Sequence, residues 1–362
     1  MKKSHSIAYY ITAHGYGHGV RSTDILRALL EMYPGVDVTV VTDLPSDFLR
    51  SRLPARTVQI RAGSFDVGMV QLDSIRVDLP ATLQRVTDLL ARREALVQQE
   101  VDFLKAGRFS AVVADIPSIP LEAAAKAGIP RLAVGNFAWD WIYEEFAAND
   151  DRWNAPIEQI REGYAKADLL LRLPFSEDMT AFPKRFDLPL VASPGKPCRD
   201  QLAAASGADP SKTWVLLSFT SLDWNDDALK RVARLTKHEF FTVKPLAWEQ
   251  ANIHPVDRHA FPFSDVIATC DVVISKPGFG ILSECAVNRK PLIYAERTDF
   301  REYAVLVQAV EKYLKHQHIP ADRLYRGDIG PALEAIAKAP PPPRSIKAGG
   351  DQIAAQKIAS FL

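Results

Sequence analysis

Cysteine is scarce in this chain and shows no pairing pattern. Cys198, Cys270 and Cys285 form neither a close pair nor a metal-type spacing, which argues against a disulfide framework and a thiolate metal site. An odd count without a framework fits a reducing compartment, so a cytoplasmic protein is expected. Cys270 and Cys285 lie inside apolar periodic runs and read as buried structural thiols. Long hydrophobic runs are also missing. None approaches the roughly 18 residues of a membrane-spanning helix. Met1-Lys2-Lys3 is basic, but Ser4, His5, Ser6, Thr12 and His14 interrupt anything resembling a signal peptide's apolar region. Peripheral membrane contact stays open. Neither sign of charge is in excess, with 44 Lys plus Arg against 44 Asp plus Glu. Nucleic acid is therefore not an expected partner.

The 362 residues suffice for about two domains, each with its own core. Strand and helix signals alternate along both halves. In the first half Ile7–Thr12, Val36–Thr42, Ala111–Ala114, Arg131–Val134 and Leu169–Leu173 read as strands. Helical spacing appears over Ser22–Met32, as one long segment from about Pro80 to Lys105, and over Leu121–Ala127. Prolines at 174, 183, 189, 194 and 197 interrupt regular structure and mark a linker. Beyond it, Trp214–Phe219, Phe240–Val243, Val272–Ser275 and Pro291–Tyr294 read as strands, and Glu302–His316 as a helix. Pro340–Pro343 is a stiff spacer, and Asp351 an N-cap of a last helix, Gln352–Phe361. The expected domains are 1–175, a linker 176–200, 201–345, and a terminal helix 346–362 packing back on the first. Alternation of this kind implies parallel, doubly wound sheets: two Rossmann-like α/β domains facing a central cleft.

The run Ser275-Lys276-Pro277-Gly278-Phe279-Gly280-Ile281-Leu282-Ser283-Glu284 follows an apolar strand and opens a helix. Glycine lets a ligand approach the backbone, and the helix start aims unpaired N–H groups and its dipole at an anion. Lys276 adds positive charge. Glu284, about one and a half turns into the helix, is placed to accept from sugar hydroxyls. A nucleotide site and an ordinary strand-to-helix turn both fit. Thr220 and Ser221, after the first strand of this half, are candidate phosphate ligands or turn residues. Asp299 and Glu302 either bind a sugar or start a helix.

The first strand runs into Ala13-His14-Gly15-Tyr16-Gly17-His18-Gly19-Val20-Arg21. The glycine spacing is not that of a dinucleotide fingerprint. Gly15 and Gly17 allow a substrate close to two imidazoles, and a histidine there suits a general base. Capping of the turn is the plainer role, for His14 especially. Asp115, at the end of another strand, either orients a loop histidine or caps a helix. Phe137, Trp139, Trp141 and Tyr143 line an acceptor or belong to the core.

Taken together, Tyr10–His18, Val113–Asp115, Asn136–Tyr143, Leu171–Pro174, Ser275–Glu284 and Ala348–Gly350 resemble glycosyltransferases of the GT-B fold. The likeness is to the lineage of peptidoglycan N-acetylglucosaminyltransferase and plant galactolipid synthases, and above all to the glycosyltransferase-like N-terminal domain of L-arabinokinases. The resemblance implies a nucleotide-sugar donor, UDP-linked, bound in the second half. Glu284 would take the ribose, the turn at Gly278 and Gly280 with Ser275 and Lys276 the diphosphate, and Glu302 the donor sugar. His18 would be catalytic. Phe219-Thr220-Ser221 lacks the paired glycines common in these enzymes, and no kinase loop is present, so kinase activity is not implied.

The expected activity is sugar transfer to an unidentified acceptor hydroxyl, inverting, with no cofactor or metal: His18 as base, Asp115 steadying it, the helix start stabilising the leaving diphosphate. The rivals are a nucleotide-sugar epimerase or hydrolase, and a non-catalytic nucleotide-sugar-binding regulator.

Overall fold

A computed structural model describes residues 5–54, 57–70, 77–219, 221–243, 248–257, 259–296 and 301–362. Thr220 and Asp299 lie outside them. The chain forms two compact units, one of residues 1–191 and 349–362, the other of residues 192–348.

The first unit holds seven strands: β1 (His5–Ile11), β2 (Val36–Val41), β3 (Val58–Arg61), β4 (Ala111–Asp115), β5 (Arg131–Gly135), β6 (Leu169–Arg172) and β7 (Arg185–Asp187). Their order is β3-β2-β1-β4-β5-β6-β7, and every pairing is parallel. Parallel strands covered on both faces read as continuous apolar runs. β1 and β4 do so, with Ile7 to Tyr10 and Ala111 to Ala114 inaccessible to solvent. The edge strand β7 has no such run, and sequence pattern misses it. The terminal helix Gly350–Ala359 completes this unit's core: Ala354, Ala355 and Ile358 are buried among Ile25, Leu26 and Leu29 of the helix Tyr16–Met32.

The expected single helix over 80–105 is two, Leu79–Ala91 and Arg93–Ala106, broken at Arg92. Directly after the break, Arg93 reaches Glu122 and Glu162, both at 2.8 Å. The first helix starts with Asp78 accepting from the Ala81 N–H and Pro80 in its first turn, a sound N-terminus on capping rules.

The second unit repeats the plan with six parallel strands: β8 (Thr213–Ser218), β9 (His238–Val243), β10 (Ile253–Val256), β11 (Val272–Ser275), β12 (Leu292–Ala295) and β13 (His316–Ile319), ordered β10-β9-β8-β11-β12-β13. Its core gathers Val215, Leu217, Phe240, Ile274, Ile293 and Leu333. The helix expected to reach His316 ends at Tyr313. Leu314 turns extended, and His316 begins β13, paired with Leu292. Backbone pairing with β12 overrides the local helical pattern. Cys270 and Cys285 are buried, and burial pushes both thiols up.

In both sheets the strand order reverses beside the first strand of the unit, between β1 and β4 and between β8 and β11. Open α/β sheets bind ligands at the carboxyl ends of strands at such a reversal. The register sets Ile11 beside Asp115 and Ser218 beside Ser275.

Candidate active site

Within the first unit, the carboxyl ends of β1 and β4 bring the glycine loop and Asp115 together. Asp115 is wholly buried, an arrangement that requires donors. It has four. His18 Nδ1 lies 2.8 Å from Oδ1, Arg21 Nη2 2.5 Å from Oδ1, Arg21 Nε donates to Oδ2 at 2.8 Å, and Ser22 Oγ donates to Oδ2 at 2.7 Å. Burial alone would raise this carboxyl; Arg21 first and His18 second reverse that and hold it well below the carboxylate range. His18 is lowered too. Burial, then Arg21, lowers its proton affinity, against smaller opposing effects of Asp115 and Asp66. A carboxylate only accepts, so the Nδ1–H tautomer is the one that suits Asp115. The Nε2 lone pair then carries the ring's basicity.

His14, four residues earlier, has a carboxylate of its own. Its Nε2 is 2.9 Å from Asp66 Oδ1, which also accepts from Thr12 Oγ1 at 2.8 Å. Asp66 Oδ2 accepts from Trp139 Nε1 at 2.8 Å. Burial works to lower the His14 proton affinity, but the hydrogen bond and charge of Asp66 leave it raised. The loop carrying Asp66 is held further by Tyr143 Oη donating to the Gly68 carbonyl at 2.9 Å. Gly68 sits at φ +66, where a Cβ would run into the His14 ring. Two histidines of one loop are thus tuned in opposite directions: Asp66 raises His14, while burial and Arg21 lower His18 in spite of Asp115.

The aromatic residues after β5 belong to the core. Phe137, Trp139 and Tyr143 are buried, their rings in mutual contact. Phe137 meets His18, and Trp139 meets His14, in T-shaped ring contacts. They brace the histidines and offer little face to a ligand; Trp141 is half-buried.

Gly15 and Gly17 differ from Gly19. A Cβ at Gly19 would strike Phe48 and Leu44, whereas at Gly15 or Gly17 it would meet no atom within 4 Å. The helix Tyr16–Met32 begins at Gly15 with no side-chain cap and no acidic residue in its first turn.

The second unit repeats this arrangement. The helix Phe279–Val287 starts at Gly278, again without a side-chain cap or first-turn acid, and a Cβ at Gly278 or Gly280 would meet nothing within 4 Å. Lys276 is half-buried in the connection from β11. Ser275 is buried, and its hydroxyl donates to the Ser218 carbonyl at 2.9 Å. That bond ties the ends of β11 and β8 together. Glu284 is half-buried, with Asn288 Nδ2 donating to its carbonyl at 2.9 Å. Ser221 is exposed, and Glu302 opens the helix Glu302–Tyr313.

His18 and Asp115 therefore form one constellation, to which the structure adds Arg21, Ser22 and Asn136. Ser275 to Glu284 form a second group, in the other unit. Asp66 carries no sequence signal, because its partners Thr12, His14 and Trp139 are distant along the chain. Among the described residues no group of three or more His, Cys, Asp or Glu side chains is placed to hold a metal ion, and no helix is long and apolar enough to cross a membrane.

Comparison with known proteins agrees with this architecture. The chain has the GT-B fold of glycosyltransferases. It superposes on the glycotransferase of kitacinnamycin with a TM-score of 0.66 at 17% identity, over 99% of this chain and 100% of that one. Against Arabidopsis thaliana UGT89C1 complexed with quercetin the TM-score is 0.64 at 14% identity, over 99% and 94% of the two chains. The same plant protein is also solved with UDP-L-rhamnose. In sequence, the chain is 30% identical over 342 residues to L-arabinokinase of Arabidopsis thaliana, which covers 92% of this chain and 32% of that protein. The chain thus spans about a third of the length of this curated relative. No family model matches it.

Proposed function

We propose that this protein is a glycosyltransferase that moves a sugar from a nucleoside-diphosphate sugar, UDP-linked, to an acceptor hydroxyl. The observation that carries this reading is His18 set on buried Asp115 at the carboxyl ends of β1 and β4, a base held by its orienting carboxylate. His18 Nε2 takes the acceptor's proton while its oxygen attacks the anomeric carbon and the bond to the diphosphate oxygen breaks. One displacement inverts the anomeric centre. Asp115 stays ionised and steadies the imidazolium that forms.

On the donor side, the uncapped helix start at Gly278 and the charge of Lys276 suit a diphosphate. Neither Gly278 nor Gly280 is required by packing within the chain, which accords with close approach of a ligand. Glu284 takes the ribose hydroxyls and Glu302 the sugar, with Ser221 towards the phosphates. With the leaving group stabilised by the helix start and a lysine, the reaction needs no metal. UGT89C1, of the same fold, is solved with UDP-L-rhamnose and with quercetin, a nucleotide sugar and a hydroxylated partner.

The test pairs binding with product analysis. A nucleoside diphosphate at about 100 times its Kd should stabilise the protein by roughly 2.7 kcal/mol. Incubation with the donor so identified and a panel of hydroxyl acceptors should give an anomerically inverted glycoside, with turnover unchanged by chelator. Binding with no product across the panel would make the protein a sensor, and a donor epimerised without acceptor would make it an epimerase.

A further inference from the structure

Arg21 does more than neutralise a buried acid. His18 Nδ1, Arg21 Nη2 and Asp115 Oδ1 form a triangle with sides of 2.8, 2.8 and 2.5 Å. All three side chains are at most 12% exposed. Guanidinium only donates and carboxylate only accepts. The remaining nitrogen, Arg21 Nη1, donates to Asn136 Oδ1, and Asn136 in turn donates to the Pro174 carbonyl at 2.7 Å. The guanidinium is therefore locked by Asp115 and Asn136, and Arg21 Nη2 and the His18 Nδ1–H converge as two donors on the one Asp115 Oδ1.

We propose that Arg21 is a positioning residue of the base, sharing Asp115 with His18 so that the ring is held uncharged, with its proton on Nδ1 and its lone pair on Nε2. A histidine paired with an isolated buried carboxylate gains a proton readily, and a protonated base accepts nothing. With Arg21 already neutralising Asp115, a second proton on the ring would set two cations about one anion. The charged groups facing the ring are Arg21 on its own helix, Asp115 at the end of β4 and Asp66 on the loop after β3. Tyr9 on β1 is coupled to Asp115, and burial keeps its phenol protonated. Burial and Arg21 outweigh the two carboxylates, in keeping with an uncharged ring. This role rests on the transferase reading only for its consequence in turnover.

Ring 15N and 13C NMR titration of the whole protein tests it, with the His18 resonance identified by its loss in His18→Gln. In the parent, Nδ1 should carry the proton and the midpoint should lie below that of an ordinary histidine, about 6.5. Arg21→Gln should raise the midpoint by about one pH unit or more, and Arg21→Lys, which keeps the charge, should stay near the parent. The acid limb of kcat/KM should move with the midpoint, whereas a merely structural Arg21 would lower activity equally at all pH values. A parent ring protonated on Nε2, or a midpoint above the ordinary value, would overturn the proposal without any variant. So would an unmoved midpoint in a folded Arg21→Gln protein. The predicted titration without sugar transfer in the parent would leave the proposal standing and sink the transferase reading instead.

Discussion

His18 and Asp115 stand 97 residues apart in sequence and 2.8 Å apart in space. Their meeting depends on β1 and β4 being neighbours although β2 and β3 intervene in the chain. The same adjacency delivers Arg21 and Ser22, from the first turns after the glycine loop, to the two oxygens of one carboxylate.

Removing the base should separate turnover from donor binding. His18→Ala is expected to lower transfer by roughly 100- to 10,000-fold while nucleotide affinity, which the proposed function assigns to the second unit, stays within error. Asp115→Asn should give a smaller loss, since the imidazole remains. Single-turnover transfer beside calorimetric binding on the same preparation checks both. Parent-rate transfer by His18→Ala would remove the proposed base.

Glu284→Ala should weaken nucleoside diphosphate binding. Charge-assisted hydrogen bonds contribute about 1.5–3 kcal/mol, so Kd should rise by roughly one to two decades. The side chain is half-buried at a helix surface, and the fold should survive. Unchanged affinity would assign Glu284 to structure alone.

The His14–Asp66 pair should make stability depend on pH. His14 is raised in the folded state, so its contribution is complete below the ordinary histidine value of about 6.5 and disappears as pH climbs through the raised one. Asp66 is lowered, so its contribution holds above the ordinary carboxylate range and is lost in acid. His14→Ala should therefore cost more at pH ~6 than at pH ~9, as read by urea midpoints at each pH. An equal cost at both would mean the pair is uncharged.

A structural network offers a control remote from the proposed chemistry. Glu100 is 1% exposed, accepts from Tyr10 Oη at 2.6 Å, and takes both Arg61 amino groups at 2.7 Å. Glu100→Ala strands a buried phenol and one side of a guanidinium, at a cost of about 3 kcal/mol or more. Denaturant unfolding measures it. A shift under about 0.5 kcal/mol, typical of surface positions, would show that Arg61 finds another partner.

The sequence by itself determined the doubly wound character of both halves. A strand buried on two faces must be apolar throughout, and β1, β4, β8 and β11 announce themselves that way. It also determined the glycine turns at Gly15 and Gly278, because strand, turn and helix are local in the chain. Edge strands escaped it: β13, His-Gln-His-Ile, owes its conformation to pairing with β12 and not to its own composition. Asp115 was legible as a candidate from its place at a strand end, but its partners were not. Arg21 is only the last residue of the glycine-loop run, Asn136 only the first of a run that carries the resemblance, and Asp66 has no signal. Only the tertiary structure decided that Arg21 faces Asp115 across 94 residues and that His14 and His18 answer to different carboxylates. The physical reason is that a buried charge takes its meaning from partners within a few ångströms, and in a parallel sheet those partners come from crossover connections that local pattern does not encode.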